Sequence, residues 1–386
     1  MSGPVVADLG EAGLLARITP LLPSGRDVLV GPGDDCAVLA APDGRYCVST
    51  DVLVEGRHFR TDWSSGFDVG ARAAAQNLAD IAAMGARPVA LVACLVLPGA
   101  TPVDWVVDLA RGMALRCREA GAAVVGGDLS AGEGLVVAVT VHGDLEGRAP
   151  VLRSGARPGQ ALVLAGTPGR AAAGLALLEA GWGRRDDDEA GLAGAAAVPE
   201  TAAVAETDAA LALAEDCAAV FRAPRPPLKA GPALAGIGAS AMMDVSDSLV
   251  RDCGRIALAS GVVIDIDDPD DDCAALAADR AELEGVAALV PGARSAAVGT
   301  GAAVGTGAAR GTGGIRPDPR ETARNWVLTG GEDHGMLATV PADAARSLPE
   351  GARVIGRVRR AGGAGPGVLV GTRPWSGAQG WDHFRA

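Results

Sequence analysis

Residues 69–97 of the chain read VGARAAAQNLADIAAMGARPVALVACLVL. Apolar residues recur at helical spacing over residues 69–84, which predicts a helix packed on a sheet. The apolar run 89–97 lies between two prolines and is too short to cross a bilayer, so it predicts a buried strand. A helix followed by a buried strand is typical of α/β proteins.

Further helices and strands are predicted on both sides of this segment. The other predicted helices cover residues 10–22, 103–119, 171–179, 207–221, 228–236 and 248–260. An apolar run covers residues 28–30, and the other predicted strands cover residues 36–39, 46–54, 122–125, 135–141, 161–165, 241–245, 262–266, 326–329, 335–340, 353–358 and 368–370. This pattern predicts a mixed α/β fold.

The length of the chain predicts two unequal domains, because 386 residues exceed one ordinary core. The sequence GRAPVLRSGARPG (147–159) is typical of a connection, and it places the boundary near residue 150. Residues 183–201 and 292–314 lack periodicity. The second of these stretches is low-complexity Ala/Gly/Thr, and we expect it to be a surface insertion.

Composition excludes several classes of protein. The formal net charge of −13 argues against a nucleic-acid partner, and no apolar run is long enough for a membrane span. The seven cysteines form no CxxC pair and no Cys/His cluster, which favours free thiols in a reducing compartment. The N-terminus lacks the basic region of an export signal, so we expect a cytoplasmic protein.

Apolar runs that end in small residues and then aspartate recur along the chain. They are VLVGPGDD (28–35), YCVSTD (46–51), NLAD (77–80), AAVVGGD (122–128), AMMDVSD (241–247) and VLTGGED (327–333). One such aspartate is usually an ordinary turn residue that faces water. Carboxylates gathered at one place repel each other unless cations lie among them, and hard oxygen ligands suit Mg²⁺. The repetition therefore predicts a nucleotide site with several Mg²⁺ ions.

Other phosphate-handling and hydrolytic motifs are absent from the sequence. It contains no GxxxxGK[ST] loop, no HRD/DFG set, no GxSxG elbow and no HExxH pair. Lys229 is the only lysine, so phosphate chemistry must depend on metals, arginine and backbone amides. The glycine pairs 126–127 and 330–331 allow close backbone approach to a phosphate.

Eight short motifs occur along the chain in an order that resembles that of a known protein family. In order they read GPGDDCAVL, STDVLVEGRHF, NLADIAAMGARP, GGDLS, RSGARPG, MDVSDSL, GGEDHGM and GWDHF. This series runs from Gly31 to Phe384 outside the two aperiodic stretches, and it resembles that of thiamine-monophosphate kinases. These belong to the superfamily that includes aminoimidazole-ribonucleotide synthetase and selenophosphate synthetase.

The resemblance implies the two-domain fold of aminoimidazole-ribonucleotide synthetase. Residues 1–150 would bind ATP and Mg²⁺ and dimerise, and residues 151–386 would form the C-terminal α/β domain with the insertion at 292–314. It also implies transfer of the ATP γ-phosphoryl group to thiamine monophosphate, assisted by several Mg²⁺ ions. In this family, N-terminal domains of two subunits pair through their sheets, so a homodimer is implied.

The family's roles can be assigned to the matching positions of this sequence. The implied Mg²⁺ ligands are Asp35, Ser49, Thr50, Asp51, Asp80, Asp128, Asp244 and Asp247. The implied nucleotide contacts are Gly127, Asp128, Arg153 and Ser246, and the implied substrate contacts are His58, Glu332 and Trp381. The residues expected to carry catalysis are Asp35, Asp51, Asp80, Asp128, Arg153 and Asp244.

Each of these residues also has an ordinary structural interpretation. Asp51 and Asp80 are compatible with helix or turn caps, and Arg153 with an exposed linker residue. His58 is compatible with a surface histidine, and Trp381 with a residue that packs the C-terminus against the body. The functional interpretation depends on the ordered set, because no single match is decisive.

The implied acceptor explains why the sequence has no obvious catalytic base. A phosphate monoester is largely ionised near neutrality, since its second pKa is about 6. Its oxygen is already a nucleophile, so we expect direct in-line transfer without a phospho-enzyme. Bridging Mg²⁺ ions would neutralise the two phosphates, and Arg153 would clamp one of them.

The chain departs from the family pattern at five positions. Ser248 replaces a glycine, His334 and Gly335 stand where Tyr and Glu are common, and Ala79 and Leu129 replace Ser and Thr. None of these changes removes a proposed metal carboxylate. Three of them border the substrate region and leave the choice of acceptor open.

Two alternatives remain open on the sequence alone. The first is a superfamily enzyme with another acceptor, although the N-terminus lacks the reactive Cys and Lys of selenophosphate synthetase. The chain also ends in HFRA and not in the cysteine of a hydrogenase-maturation relative, and an aminoimidazole-ribonucleotide synthetase lacks the AAMGA and GWDHF motifs. The second is a non-catalytic sensor of nucleotide or thiamine phosphate, against which the intact carboxylate set argues.

Overall fold

A computed structural model describes residues 3–30, 37–182, 204–290, 318–378 and 380. The chain divides into two compact units, Met1–Pro150 and Val151–Ala386. Both contain helices together with a sheet that has parallel and antiparallel strand pairs, so the predicted mixed α/β class is confirmed. None of the helices in the described ranges is long and apolar enough to span a membrane. Both aperiodic stretches, 183–201 and 292–314, lie outside these ranges.

The first unit is built on a four-stranded sheet. Its elements are α1 (Val6–Ile18), β1 (Val28–Val30), β2 (Val38–Leu39), β3 (Cys47–Val54), α2 (Gly66–Ala83), β4 (Arg87–Leu97), α3 (Val103–Ala120), β5 (Ala123–Ala131) and β6 (Val136–Asp144). The strand order is β3-β6-β4-β5, with β4 and β5 parallel and the other neighbours antiparallel. Strands β1 and β2 pair separately.

Helix α2 begins earlier than the periodicity predicts. Ser65 caps it by accepting a hydrogen bond from the Asp68 amide, while the Asp68 carboxylate accepts one from the Ser65 amide at 2.8 Å. This reciprocal pair satisfies amides that a helix N-terminus leaves unpaired. The helix therefore starts at Gly66.

Helices α2 and α3 approach each other closely because glycines lie at their contact. A Cβ on Gly70 would lie 1.9 Å from the Leu109 carbonyl oxygen, and one on Gly112 would lie 2.0 Å from that of Phe67. Any larger residue at these positions would push the two backbones apart. The close packing gives Asp80, in the last turn of α2, a defined place relative to the sheet.

The second unit is built on a seven-stranded sheet. Its elements are β7 (Ala161–Ala165), α4 (Arg170–Glu179), α5 (Val204–Arg222), α6 (Ala230–Gly236), β8 (Ala241–Val245), α7 (Leu249–Ser260), β9 (Val262–Ile266), α8 (Leu276–Leu289), α9 (Pro319–Thr329), β10 (Gly335–Val340), β11 (Ala352–Arg360), β12 (Gly367–Val370) and β13 (Arg373–Pro374). The order is β13-β12-β9-β11-β7-β10-β8. Antiparallel pairing of β10 with β8 puts the start of β10 beside the end of β8, with Met336 opposite Asp244.

In the second unit, one predicted strand is wrong and a further helix was not predicted. Residues 326–329, predicted as a strand, form the last turn of α9. That helix is started by Asp318, whose side chain accepts a hydrogen bond from the Arg320 amide at 3.0 Å, and by a proline in its first turn. Helix α8 was not predicted, because its many charged and small residues hide the short apolar stripe.

Candidate active site

In the first unit, β3 and α2 bring two candidate ligands together. Ser49 and Asp51 lie on the face of β3 that points toward α2, as does Leu53, which is only 2% exposed. The Ser49 hydroxyl donates a hydrogen bond to Asp80 Oδ2 at 2.6 Å. A serine and an aspartate that are 31 residues apart in sequence are therefore in direct contact.

Thr50 lies between these residues in sequence, but its side chain points to the opposite face of the sheet. Its hydroxyl donates to the Val139 carbonyl oxygen at 2.9 Å and accepts from Thr140 Oγ1 at 3.1 Å. Alternation along a strand explains this separation. Thr50 can join Ser49 and Asp51 in one metal site only through its main chain.

Asp128 lies inside a strand, although the sequence pattern placed it after one. Strand β5 continues through the glycine pair to Ala131, and Asp128 is exposed. A Cβ on Gly127 would lie 1.9 Å from the Ala93 carbonyl oxygen of the neighbouring strand. Glycine is therefore required there by strand packing, whatever ligand approaches its backbone.

A cavity of about 970 Å³ lies beside this part of β5. Its wall includes Gly126, Gly127 and Asp128 together with apolar side chains such as Leu15 and Met113. Apolar walls with a few polar groups at one end are typical of small-molecule sites, and the volume lies within their usual range. The cavity is large enough for a nucleotide base and its ribose.

His58 lies in the turn that follows β3. Its Nδ1 atom accepts a hydrogen bond from the Val54 amide at 3.0 Å, and the side chain is partly buried. When Nδ1 accepts, the proton of a neutral imidazole is on Nε2. His58 is thus held by the backbone of its own turn and is not a freely moving surface histidine.

In the second unit, His334 joins two candidate site carboxylates. Its Nδ1 lies 3.0 Å from Asp244 Oδ2, and its Nε2 lies 3.6 Å from Glu332 Oε2. Burial lowers the pKa of His334, but the hydrogen bond to Asp244 and the negative charges of Asp244 and Glu332 outweigh burial and raise the pKa to about 10. An imidazolium between the two carboxylates reduces their mutual repulsion.

The backbone around His334 is strained. Glu332 and His334 have φ angles of 66° and 50°, in the left-handed region that favours glycine. The Glu332 amide donates to the Ser246 carbonyl oxygen at 2.8 Å, and the His334 amide donates to that of Val245 at 2.9 Å. These bonds hold the segment in a conformation that non-glycine residues rarely adopt. Strained backbone of this kind is found more often at functional sites than elsewhere.

Asp333, between these two residues, has a structural role. Its carboxylate accepts hydrogen bonds from the amides of Gly169 at 2.7 Å and Ala171 at 2.8 Å, at the start of α4. Burial raises the pKa of Asp333 to about 7, although the two amide donors oppose that shift. Asp333 thus connects the Glu332–His334 segment to the N-terminus of α4. Of the two acidic residues in GGEDHGM, only Glu332 lies beside the His334 ring.

The turn after β8 carries Ser246 and Asp247. The Asp247 carboxylate makes an ion pair with Arg255 of helix α7. A Cβ on Gly331 would lie 2.4 Å from the Ser246 carbonyl oxygen, so this glycine is required by close packing against the turn. The motifs MDVSDSL and GGEDHGM, far apart in sequence, therefore form one structural unit.

The remaining candidates do not join these clusters. Arg153 begins a short 3₁₀ turn, and its side chain is exposed. Asp35 and Trp381 lie outside the described residues, as does Asp34. Among the described residues, no group of three or more His, Cys, Asp and Glu side chains is arranged to hold a metal ion by itself. A complete metal site would thus need ligands beyond these groups, such as substrate phosphates or water.

Sequence reasoning did not identify the residues that support the candidate side chains. His334 was noted only as a departure from a family pattern, and Arg255 was not singled out. Their partners are distant in sequence or on another element, so no local motif marks them. The signal that identifies them is a charged side chain, buried or partly buried, in contact with a candidate carboxylate, and only the tertiary structure shows it.

A family model, sequence relatives and solved structures all indicate the same protein family for this chain. The family model for "AIR synthase related protein, N-terminal domain" matches residues 33–145. A thiamine-monophosphate kinase of Mycobacterium tuberculosis is 41% identical over 382 residues, covering 99% of this chain and 93% of the relative.

Two solved structures are similar along nearly all of the chain. The thiamine-monophosphate kinase of Stenotrophomonas maltophilia K279a has a TM-score of 0.66 at 28% identity and covers 95% of this chain and 98% of its own. AaThiL complexed with AMPPCP and TMP has a TM-score of 0.63 at 26% identity and covers 98% of both chains. The expected fold is confirmed, and the chain belongs to the thiamine-monophosphate kinase family.

Proposed function

We propose that this chain transfers the γ-phosphoryl group of ATP to thiamine monophosphate, forming ADP and thiamine diphosphate. The observation that carries the proposal is the 41% identity to a thiamine-monophosphate kinase over 99% of the chain. The candidate oxygen ligands of the two units support it, since they suit Mg²⁺, and a cation is needed to offset the repulsion between the two phosphates that this reaction joins.

Mg²⁺ fits the donor chemistry, because the candidate ligands offer only oxygen. The proposed ligands are Asp35, Ser49, Thr50 through its main chain, Asp51, Asp80, Asp128, Asp244 and Asp247. Mg²⁺ held by these residues would supply positive charge that offsets the repulsion between the two phosphates. The contact between Ser49 and Asp80 supports the assignment, since it orients a carboxylate that is partly buried.

The nucleotide is proposed to contact Gly127, Asp128, Arg153 and Ser246. Gly127 and Asp128 line the cavity of the first unit, which suits a base and ribose. The Arg153 guanidinium is exposed and can form a bidentate pair with a phosphate. In this proposal Asp128 binds Mg²⁺ and also contacts the nucleotide, because a ligand of a phosphate-bound metal lies close to that phosphate.

The acceptor supplies its own nucleophile, so the chain needs no general base. The terminal phosphate of thiamine monophosphate is largely ionised at neutral pH, with a second pKa of about 6. The protein's task is then to place that oxygen in line with the γ-phosphorus and to exclude water. A phospho-enzyme is not required.

The acceptor is proposed to contact His58, Glu332 and Trp381. The thiazolium ring is cationic, so an indole can stack on it and a carboxylate can pair with it. Glu332 is 15% exposed in its side chain and is held beside His334, which supports a role as a fixed carboxylate at the edge of a site. His334, which lies beside Glu332, stands where Tyr is common in the family pattern.

A homodimer and a cytoplasmic location belong to the same proposal. Pairing through the sheet of the first unit is supported by the exposed strand side chains Val48 and Val52, which are 60% and 46% accessible on the face away from α2. The location is supported by free cysteines, among them the buried Cys117, Cys217 and Cys253. Light scattering at several protein concentrations tests the dimer.

The activity is tested by incubating the protein with ATP, Mg²⁺ and thiamine monophosphate and measuring thiamine diphosphate by chromatography. Free thiamine serves as a parallel acceptor, and chelation of the metal as a control. Diphosphate formed only from the monophosphate, and only with Mg²⁺, is the expected result. ATP consumption without an acceptor, or no product despite nucleotide binding, would contradict the proposal.

A further inference from the structure

Asp252, in the first turns of α7, is enclosed by the turn that carries Asp247. The residue is fully buried, with 0% exposure. One oxygen of its carboxylate, Oδ2, accepts hydrogen bonds from three consecutive amides: Ser246 at 3.2 Å, Asp247 at 3.1 Å and Ser248 at 3.2 Å. A single side chain therefore holds the backbone of the whole turn.

Arg255, one helical turn further along α7, connects Asp252 to the candidate ligand. Its Nη1 donates to Asp252 Oδ1 at 2.6 Å, and its Nη2 donates to Asp247 Oδ2. The guanidinium thus bridges a buried carboxylate and the carboxylate of the turn. A bridge of this kind restricts the rotation of the Asp247 side chain, because one of its oxygens is fixed.

Ser248, the last residue of the turn, has a strained backbone that needs support from its neighbours. This residue has a φ angle of 148° and is fully buried, and its hydroxyl accepts a hydrogen bond from the Arg251 amide at 3.1 Å as the cap of α7. A positive φ is unfavourable for a residue with a side chain. The three amide bonds to Asp252 offset this strain and help to hold the turn in its observed conformation.

We propose that Asp252 and Arg255 are positioning residues that hold the Ser246–Ser248 turn and orient the Asp247 carboxylate for metal binding. The metal-binding part of this inference rests on the proposed function. The hydrogen bonds from the turn to Asp252 do not depend on that function. Hydrogen-bond partners of metal ligands commonly change metal affinity or activity 10- to 100-fold when they are removed. The turn amides are already occupied by Asp252, so Ser246 and Asp247 would act through their side chains.

The first measurement is hydrogen exchange of the Ser246–Ser248 amides in metal-free protein. Asp252→Asn should exchange these amides at least about tenfold faster than the wild type, because the neutral amide is a weaker acceptor. Asp265→Asn is the matched control. Asp265 is buried in the same unit, accepts from the Thr372 amide at 3.0 Å and pairs with Arg357, but lies away from the turn. It should leave exchange at the turn unchanged.

The second measurement is equilibrium binding of Mn²⁺, followed by electron paramagnetic resonance, with a non-hydrolysable ATP analogue present. Asp252→Asn and Arg255→Gln should bind Mn²⁺ about 10- to 100-fold more weakly, with partial recovery in Arg255→Lys. Asp265→Asn should bind as the wild type does. Thermal melting of each variant identifies any that fail to fold, and Arg255→Lys, which keeps the charge, serves as the mildest variant.

Three outcomes would overturn the inference. Unchanged exchange at the turn in folded Asp252→Asn would show that the carboxylate does not hold it. Unchanged Mn²⁺ affinity in both variants would remove the positioning role. Tighter Mn²⁺ binding in Arg255→Gln would show that the guanidinium competes with the metal for Asp247. Wild-type protein that binds no Mn²⁺ but protects these amides would refute the proposed metal site and leave the support of the turn standing.

Discussion

Removal of the Ser49 hydroxyl is expected to lower catalysis through Asp80. In Ser49→Ala, Asp80 Oδ2 loses a hydrogen bond of 2.6 Å in a partly buried position. Hydrogen bonds to charged groups contribute about 1.5–3 kcal/mol. If that orientation is needed in the transition state, kcat/KM should fall about 10- to 100-fold, since 1.4 kcal/mol corresponds to about tenfold.

The assay is thiamine diphosphate formation at saturating and limiting Mg²⁺, with melting temperature recorded for each protein. Thr140→Val is the matched control, because it removes an exposed hydrogen bond of 3.1 Å on the other face of the same sheet. It should stay within about twofold of the wild type. A folded Ser49→Ala protein with unchanged kcat/KM at limiting Mg²⁺ would refute the reasoning, since Asp80 would then hold its position without the hydroxyl.

Three further predictions follow from single contacts. Gly127→Ala should lower stability by about 1–3 kcal/mol in chemical denaturation, because its Cβ would lie 1.9 Å from the Ala93 carbonyl oxygen; an unchanged midpoint would contradict this. Asp333 has a pKa raised from 3.8 to about 7, so its folded form holds the proton more tightly and its contribution to stability should decline between pH 4 and pH 7. The unfolding free energy of Asp333→Asn should decline less over that range, and parallel pH curves would exclude the effect. Arg153→Ala should raise the KM for ATP about tenfold or more while the melting temperature stays constant, and an unchanged KM would remove Arg153 from the nucleotide site.

Much of the secondary structure could be predicted from local patterns. The strands Ala161–Ala165, Ala241–Val245, Val262–Ile266 and Gly335–Val340 have the predicted bounds, because each is a short apolar run between turn residues. The segment 326–329 shows the limit of this reasoning. A short apolar run is compatible with a strand or a buried helix turn, and the cap at Asp318 decides between them.

The candidate site could be predicted in its chemistry but only partly in its geometry. The recurring aspartates predicted oxygen ligands, and the structure places Ser49 against Asp80. The predicted helix 69–84 placed Asp80 correctly in α2, whereas Asp128, expected after a strand that ends at residue 125, lies within β5. Sequence reasoning treated Ser49 and Thr50 alike, whereas strand alternation puts their side chains on opposite faces.

Most of the strands, the mixed α/β class and the oxygen-rich chemistry follow from the sequence alone, because hydrophobic periodicity and turn residues act over a few neighbouring positions. The position of His334 between Asp244 and Glu332 depends on the pairing of β10 with β8, which joins residues 90 apart. The enclosure of Asp252 by the Ser246–Ser248 turn joins residues only four to six positions apart, but it depends on how α7 leaves the sheet edge. Burial and charge compensation belong to such non-local packing, so only the tertiary structure decides which carboxylates are held, by which partner and at what pKa.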